Sequence, residues 1–270
     1  MINTLKATWL LAIVLAFPAL AMDDVHSAKR LPGETVAQAE ARYWSQLDHV
    51  KREGSAASSK VKFDELNLLP VPKYAYIPEL FNDLRDERFL EAKSKPDFKR
   101  RLSWLYPHDG CWIRAAIMKQ LSYEWKQDQP FKLFIFGNLN VKTQNAVGGS
   151  VSWWYHVIPV LRDSEGALWA IDPAIEPKKP LPIQEWILTM VPKVEDAQFA
   201  LCSPDTYSPS SSCQTPKSDD DKNAKQQIES YLGLEWSNLV SLNRNPEEEL
   251  GNNPPWKKTV EEPGEDPEQP

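Results

Sequence analysis

The chain has 270 residues, enough for one large domain or two small ones around a sizeable core. Hydrophobic residues make up 41% and charged residues 26%, a balance that excludes both wholesale disorder and a polytopic membrane protein. With 31 basic against 38 acidic side chains the net charge is −7, so nothing supplies the basic face of a general nucleic-acid binder. There are 11 Trp and 23 Pro, but only 4 His and 3 Cys, which narrows the metal and nucleophile chemistries open to it.

Met1 to Ala21 carries Lys6, an apolar run from Ala7 to Phe17 and the small-residue pattern Ala19-Leu20-Ala21. This is the layout of a secretory signal peptide cleaved after Ala21, and the run is too short for a comfortable membrane span. The mature protein is therefore expected to be secreted or periplasmic, with no membrane insertion, in a compartment where disulfides form.

Residues 22–62 read as an N-terminal helix and linker. Val36, Ala39, Tyr43, Leu47 and Val50 fall at helical spacing between Glu34 and Lys51. The small-residue stretch Gly54 to Ser59, entered through Lys51-Arg52, is expected to be an exposed nicking site. The helix before it is then either a removable, inhibitory pro-segment or an ordinary part of the domain.

Residues 63–244 read as the main domain. A helix is expected from Pro78, carrying Leu80, Phe81, Leu84 and Leu90, and a second from Cys111 to Trp125. Phe131–Phe136 reads as a buried strand ended by Gly137-Asn138, and Asn140–Ser150 as a polar loop. Strands Val151–Leu161 and Ala167–Asp172 flank a five-residue hairpin connection. A last helix is expected from Asp220 to Leu232 with Gly233 as its stop, and Asp219-Asp220-Asp221 as its capping cluster rather than a metal site. From Asn245 to Pro270, 6 residues are Pro and 8 are Asp or Glu, so this tail is expected to be disordered.

Cys202 and Cys213 share a Ser/Pro-rich loop, and export makes a disulfide between them the natural reading. Cys111 is then left over, either as buried filler or as a reactive thiol. Its place after Asp109-Gly110, at a helix start, favours reactivity, because unpaired N–H groups and the helix dipole stabilise a thiolate.

Hairpin pairing supplies a partner. If Leu161 pairs with Ala167, then Val160 faces Leu168, Ile158 faces Ala170 and His156 faces Asp172, within reach of an imidazole–carboxylate hydrogen bond. A bulge at Pro159 would shift this register by one. Thiol, imidazole and carboxylate are the parts of a Cys-His-Asp triad; the bland alternative is a satisfied core histidine and a strand-end aspartate. His108 is read as a loop histidine near Cys111. Trp153 and Trp154 point to opposite faces of their strand, so one can line a cleft while the other is core.

The run Tyr106-Pro107-His108-Asp109-Gly110-Cys111-Trp112-Ile113-Arg114-Ala115 resembles the nucleophile motif of the bacterial protein-glutaminases. Phe136-Gly137-Asn138-Leu139, Trp153-Trp154-Tyr155-His156-Val157 and Ile171-Asp172-Pro173 resemble further blocks of that family, in the same order. The likeness spans about Pro78 to Pro177; Trp112-Ile113 stands where the family has a smaller aromatic and an alanine. It implies an α+β, papain/transglutaminase-like fold, with the catalytic Cys at a helix N-terminus packed on an antiparallel sheet carrying His and Asp. It also implies a triad of Cys111, His156 and Asp172, and conversion of glutamine side chains in proteins or peptides to glutamate. Trp154, Trp112 and Ser150 are the candidate substrate contacts. The chemistry requires no metal or organic cofactor, no nucleic acid is an expected partner, and the protein is expected to be monomeric. A papain-like peptidase or transglutaminase with the same triad, and a non-catalytic secreted binding protein, are the rival readings.

Overall fold

The computed structural model describes residues 26–47, 52–66, 73–213 and 220–258. The expected signal peptide, Lys51, the Asp219–Asp221 side chains and the chain beyond Lys258 lie outside the described residues. No helix among those described is long and apolar enough to cross a membrane.

Helix α1 (Val36–Ser45) opens with a capping box in which Thr35 and Gln38 satisfy each other's backbone N–H groups. Short α2 (Phe63–Leu66) and α3 (Ile77–Asp86) follow, then the hairpin β1 (Leu90–Ala92) and β2 (Lys95–Arg100). Helix α4 (Cys111–Glu124) leads into the long strands β3 (Phe131–Lys142) and β4 (Ser150–Arg162), then β5 (Leu168–Ala170) and β6 (Leu181–Pro182). Helix α5 (Ile183–Leu188), strand β7 (Ala197–Cys202), helix α6 (Asp220–Ser241) and helix α7 (Pro246–Glu249) complete the order. The main sheet runs β6-β5-β4-β3-β7 and is antiparallel throughout. The class is thus α+β with helices on an antiparallel sheet.

Every residue of α4 from Cys111 to Ser122 is buried, because β4 packs on one side of it and α6 on the other. The buried polar side chains among them are paired: Arg114 donates to carbonyls of the preceding loop, Lys119 pairs with Asp205 and the Ser122 hydroxyl donates to the Met118 carbonyl. The first residue of α4 is thereby fixed against the central strand of the fold.

Several elements differ from expectation for identifiable reasons. Leu90 leaves the helix to start β1. β3 continues to Lys142, because Gly137-Asn138 is a bulge rather than a terminus: pairing jumps from Phe136–Tyr155 to Leu139–Trp153. The small-residue stretch is not an exposed linker. Ser55 and Ala56 are buried, Ser55 bridges Ser212, and the Ala56 N–H donates to the Ser211 carbonyl at 2.8 Å. This docking site is itself pinned, since Cys213 and Cys202 form a disulfide.

Gly233 does not stop α6. Buried Leu239 and Glu235 lie beyond it, and packing of this kind outweighs the roughly 1 kcal/mol cost of an interior glycine. The expected disorder from Asn245 is also corrected as far as Lys258. Asn245 caps α7, Pro246 occupies its first turn, and Glu247, Glu248 and Glu249 complement its dipole, so the acidic cluster is helix-start chemistry. Arg244 pairs with Glu249, and the Trp256 indole N–H donates to Asp86 at 3.0 Å.

Candidate active site

Gly110 has φ 81°, the left-handed region, and a Cβ there would stand 2.6 Å from the Tyr231 ring. Only glycine meets both demands. A Gly110→Ala variant is expected to lose at least ~1 kcal/mol from backbone strain alone, with further loss from the collision. Denaturant unfolding of G110A, with Tyr231→Ala added back to remove the collision, separates the two contributions.

The next residue, Cys111, begins α4 and is 3% exposed. The loop before it is held by Arg114, one helical turn on. Its Nη1 donates to the carbonyls of Ser103, Tyr106 and Asp109 at 3.4, 3.2 and 2.9 Å. Nothing in the sequence marked Arg114 for this role beyond its place in the nucleophile block.

His156 and Asp172 are brought together. Imidazole Nε2 and Asp172 Oδ2 lie 2.8 Å apart, both residues almost wholly buried at 2% and 5% exposure. The expected hairpin register is off by two: Val160 pairs with Ala170, Leu161 with Trp169 and Arg162 with Leu168. The turn explains the shift. Asp163 caps it, accepting the N–H groups of Glu165 and Ala167 and the Trp169 indole N–H, and the pairing is set from there. A shift of two keeps Asp172 on the same pleat face, and a diagonal neighbour remains within side-chain reach. No one-residue slip occurs at Pro159, whose carbonyl accepts the Ile171 N–H at 3.1 Å.

The Trp186 indole N–H donates to the same Asp172 oxygen at 3.0 Å. Burial pushes the Asp172 carboxyl up, but the adjacent His156 charge and hydrogen bond, Trp186 and the more distant Arg114 outweigh it, so it sits below the usual carboxylate value. Trp153 stacks on the imidazole at 4.7 Å between centroids and Trp186 at 5.8 Å. The other imidazole nitrogen, Nδ1, is buried without a hydrogen-bond partner.

Trp153 and His156 stack together, whereas Trp154 and Tyr155 both pack on Tyr43. Trp154 is therefore core, its indole N–H donating to the Ser27 carbonyl at 3.1 Å. Trp112 is buried edge-on to His26 at 5.1 Å. Ser150 alone of the three candidate contacts is exposed, on the wall of a 750 Å³ cavity that it shares with His108, Asn138 and Ser152.

The opposite wall of that cavity is the N-terminal segment, from Lys29 to Val36. Lys29 bridges Trp153 in antiparallel fashion, the Trp154 N–H donates to the Ala28 carbonyl, and the Arg30 N–H donates to the Ser152 carbonyl. The Asp109 carboxylate accepts the Ala28 N–H at 3.0 Å, the Gly110 N–H at 2.9 Å and the Ser27 hydroxyl. The segment thus runs along β4 beside His156 and ties to the residue two before Cys111. His108, half-buried on the cavity wall that Lys29 also lines, has its pKa held below the ordinary histidine value, first by its partial burial and second by that lysine.

The model of a glutaminase family matches residues 77–190. Among curated proteins nothing matches. Among solved structures, the chain is similar to protein-glutaminase from Chryseobacterium proteolyticum, at 23% identity over 58% of this chain and 86% of that one, TM-score 0.45. It is also similar to a crystal structure of protein-glutaminase (25% identity, 56% and 82% covered, TM-score 0.42). A crystal structure of pro-protein-glutaminase is similar at 21% identity, 70% and 66% covered, TM-score 0.43. The matched residues 77–190 contain Cys111, His156 and Asp172, so the chain resembles the glutaminase family over the segment that carries all three.

Proposed function

We propose that the chain is a secreted protein-glutamine deamidase acting through Cys111, His156 and Asp172. The observation that carries this reading is the state of His156: one ring nitrogen is held by a buried carboxylate, and the other is buried without a hydrogen-bond partner. That is the arrangement of an imidazole oriented to exchange a proton with a nucleophile. The nucleophile is the Cys111 thiol, at the start of the helix that packs on the His156 strand.

The thiolate of Cys111 attacks the γ-carboxamide carbon of a glutamine, and backbone N–H groups at the start of α4 stabilise the oxyanion. Collapse breaks the C–N bond; the imidazolium of His156 gives its proton to the leaving nitrogen, which departs as ammonia and leaves a γ-glutamyl thioester. His156 then takes a proton from water, whose oxygen attacks the thioester, releasing glutamate and restoring the thiolate. Asp172 keeps the imidazole oriented throughout.

Accessible glutamine in an unfolded protein is the proposed substrate. The test is incubation with such a protein while free ammonia, substrate length and crosslinking are followed together. Ammonia with an intact, uncrosslinked product carrying glutamate supports the reading. Shortened product without ammonia replaces it with a peptidase, and ammonia with crosslinks replaces it with a transglutaminase.

Export would place cleavage after Ala21. Of the segment this leaves before the domain, residues 26–47 act as a cover beside the site, with the stretch from Ser55 onward part of the domain.

A further inference from the structure

Tyr231, Glu235 and Asn238 are spaced four and three residues apart on α6, which puts them on one face of the helix, and all three are buried. Each meets the loop that ends at Cys111. The Tyr231 ring backs Gly110. Glu235 accepts the Leu105 N–H at 2.7 Å with one oxygen and pairs with Arg100 at 2.5 Å with the other.

Asn238 does more than its neighbours. Its amide nitrogen donates to the Leu105 carbonyl at 3.1 Å and to the Asn145 carbonyl at 2.8 Å. Both hydrogens of the amide are thereby committed to carbonyls, one in each loop. Leu105 belongs to the loop that presents Cys111. Asn145 belongs to the loop between β3 and β4, which leads into the His156 strand and is held a second time by Arg244 Nη1, 2.6 Å from Asn145 Oδ1. α6 lies outside residues 77–190, so this contact is supplied by a part of the chain that the family match does not reach.

We propose that Asn238 is a positioning residue for the deamidation: one buried amide joins the loop that presents the nucleophile to the loop that leads into the histidine strand, and so fixes their separation. The proposal rests on the reading of Cys111 and His156 given above. Asparagine is suited to the task because two donors are needed within one short side chain. Aspartate has the size but opposes two carbonyls with no N–H, and alanine leaves both carbonyls unanswered.

The test compares wild-type chain with Asn238→Ala and Asn238→Asp, the second variant serving if the first does not fold. Three quantities are read on each: kcat and KM for ammonia release from a glutamine-containing peptide, the thermal midpoint, and the iodoacetamide alkylation rate of Cys111 against pH. Loss of positioning is expected to lower kcat per folded molecule by about ten-fold or more with KM within about two-fold, since small misplacements of reacting groups act on the chemical step. The pH profile of alkylation should shift in the same variants. A lowered midpoint with unchanged kcat and an unchanged alkylation profile would show a structural role only and overturn the proposal. All three chains are assayed after the cut at Arg52 and removal of the N-terminal piece; if wild-type chain then releases no ammonia, the deamidase reading fails instead, and the alkylation profile alone decides whether Asn238 positions the thiol.

Discussion

His156→Ala is expected to lower the rate of ammonia release by roughly 10³–10⁴-fold under the proposed mechanism, in which one imidazole serves as acid in the first half-reaction and base in the second. The same substitution should also destabilise the fold, by about 3–5 kcal/mol, since it leaves the buried Asp172 carboxylate without the partner that offset its desolvation. The two losses have different pH dependences. In the wild-type chain the folded Asp172 carboxyl lies below its ordinary value, so its stabilisation is present above the unfolded value of about 3.9 and disappears as pH falls through the lower folded value. Without the imidazole, burial is the largest remaining influence and pushes the carboxyl up. Folding of the variant then loses stability as pH rises above the unfolded value. The stability gap between the two proteins should therefore be wide near neutral pH and narrow near pH 4, as read by denaturant unfolding at each. A gap of equal size at both would mean that Asp172 does not depend on His156.

Cutting the chain after Arg52 and removing the N-terminal piece is expected to raise deamidase activity by at least an order of magnitude. Arg52 to Gly54 is exposed, whereas Ser55 and Ala56 are buried against Ser211 and Ser212, so this is where the cover gives way to the domain. The cover is firmly seated: Tyr43 packs on Trp154 and Tyr155, and Asp109 takes hydrogen bonds from Ser27 and Ala28. A nick alone should accordingly leave much of the inhibition in place, and activity should rise only as the piece dissociates on dilution or is degraded. Asp109→Asn in the intact chain should give a smaller rise by weakening the hold on Ser27 and Ala28. Activity that is identical in intact chain, nicked chain and isolated 53–270 piece would remove the inhibitory role of this segment and leave it an ordinary part of the domain.

The features legible from residue order were those encoded locally. Cys111 at a helix start could be read from Asp109-Gly110 followed by an apolar stretch, and the pairing of Cys202 with Cys213 from their spacing and the expected export. His156 and Asp172 were matched through a register wrong by two, and the match survived because a shift of two preserves the pleat face. What was misread depended on tertiary contacts. Gly137-Asn138 has the composition of a strand end and is a bulge within β3, whose pairing continues to Lys142 with β4 and to Gly137 with β7. The small residues at Gly54–Ser59 have linker composition, yet their lack of bulk is what lets Ser55 and Ala56 lie flat against another backbone. Asn245-Pro246 followed by three glutamates has the composition of a solvated tail, yet cap, proline and acids are the local grammar of a helix start. Trp186 and Asn238 had no local signal at all: both reach the site from helices that follow the matched motifs, and only packing places them.

The measurement that bears most directly on the central claim is ammonia release from an unfolded, glutamine-rich protein by the cover-free chain, with Cys111→Ser as its pair. Wild-type chain is expected to release ammonia in proportion to the glutamate gained by an otherwise intact substrate, and Cys111→Ser, folded to the same midpoint, to release none above background. Ammonia release that persists undiminished in the Cys111→Ser chain would contradict a thioester route through this residue.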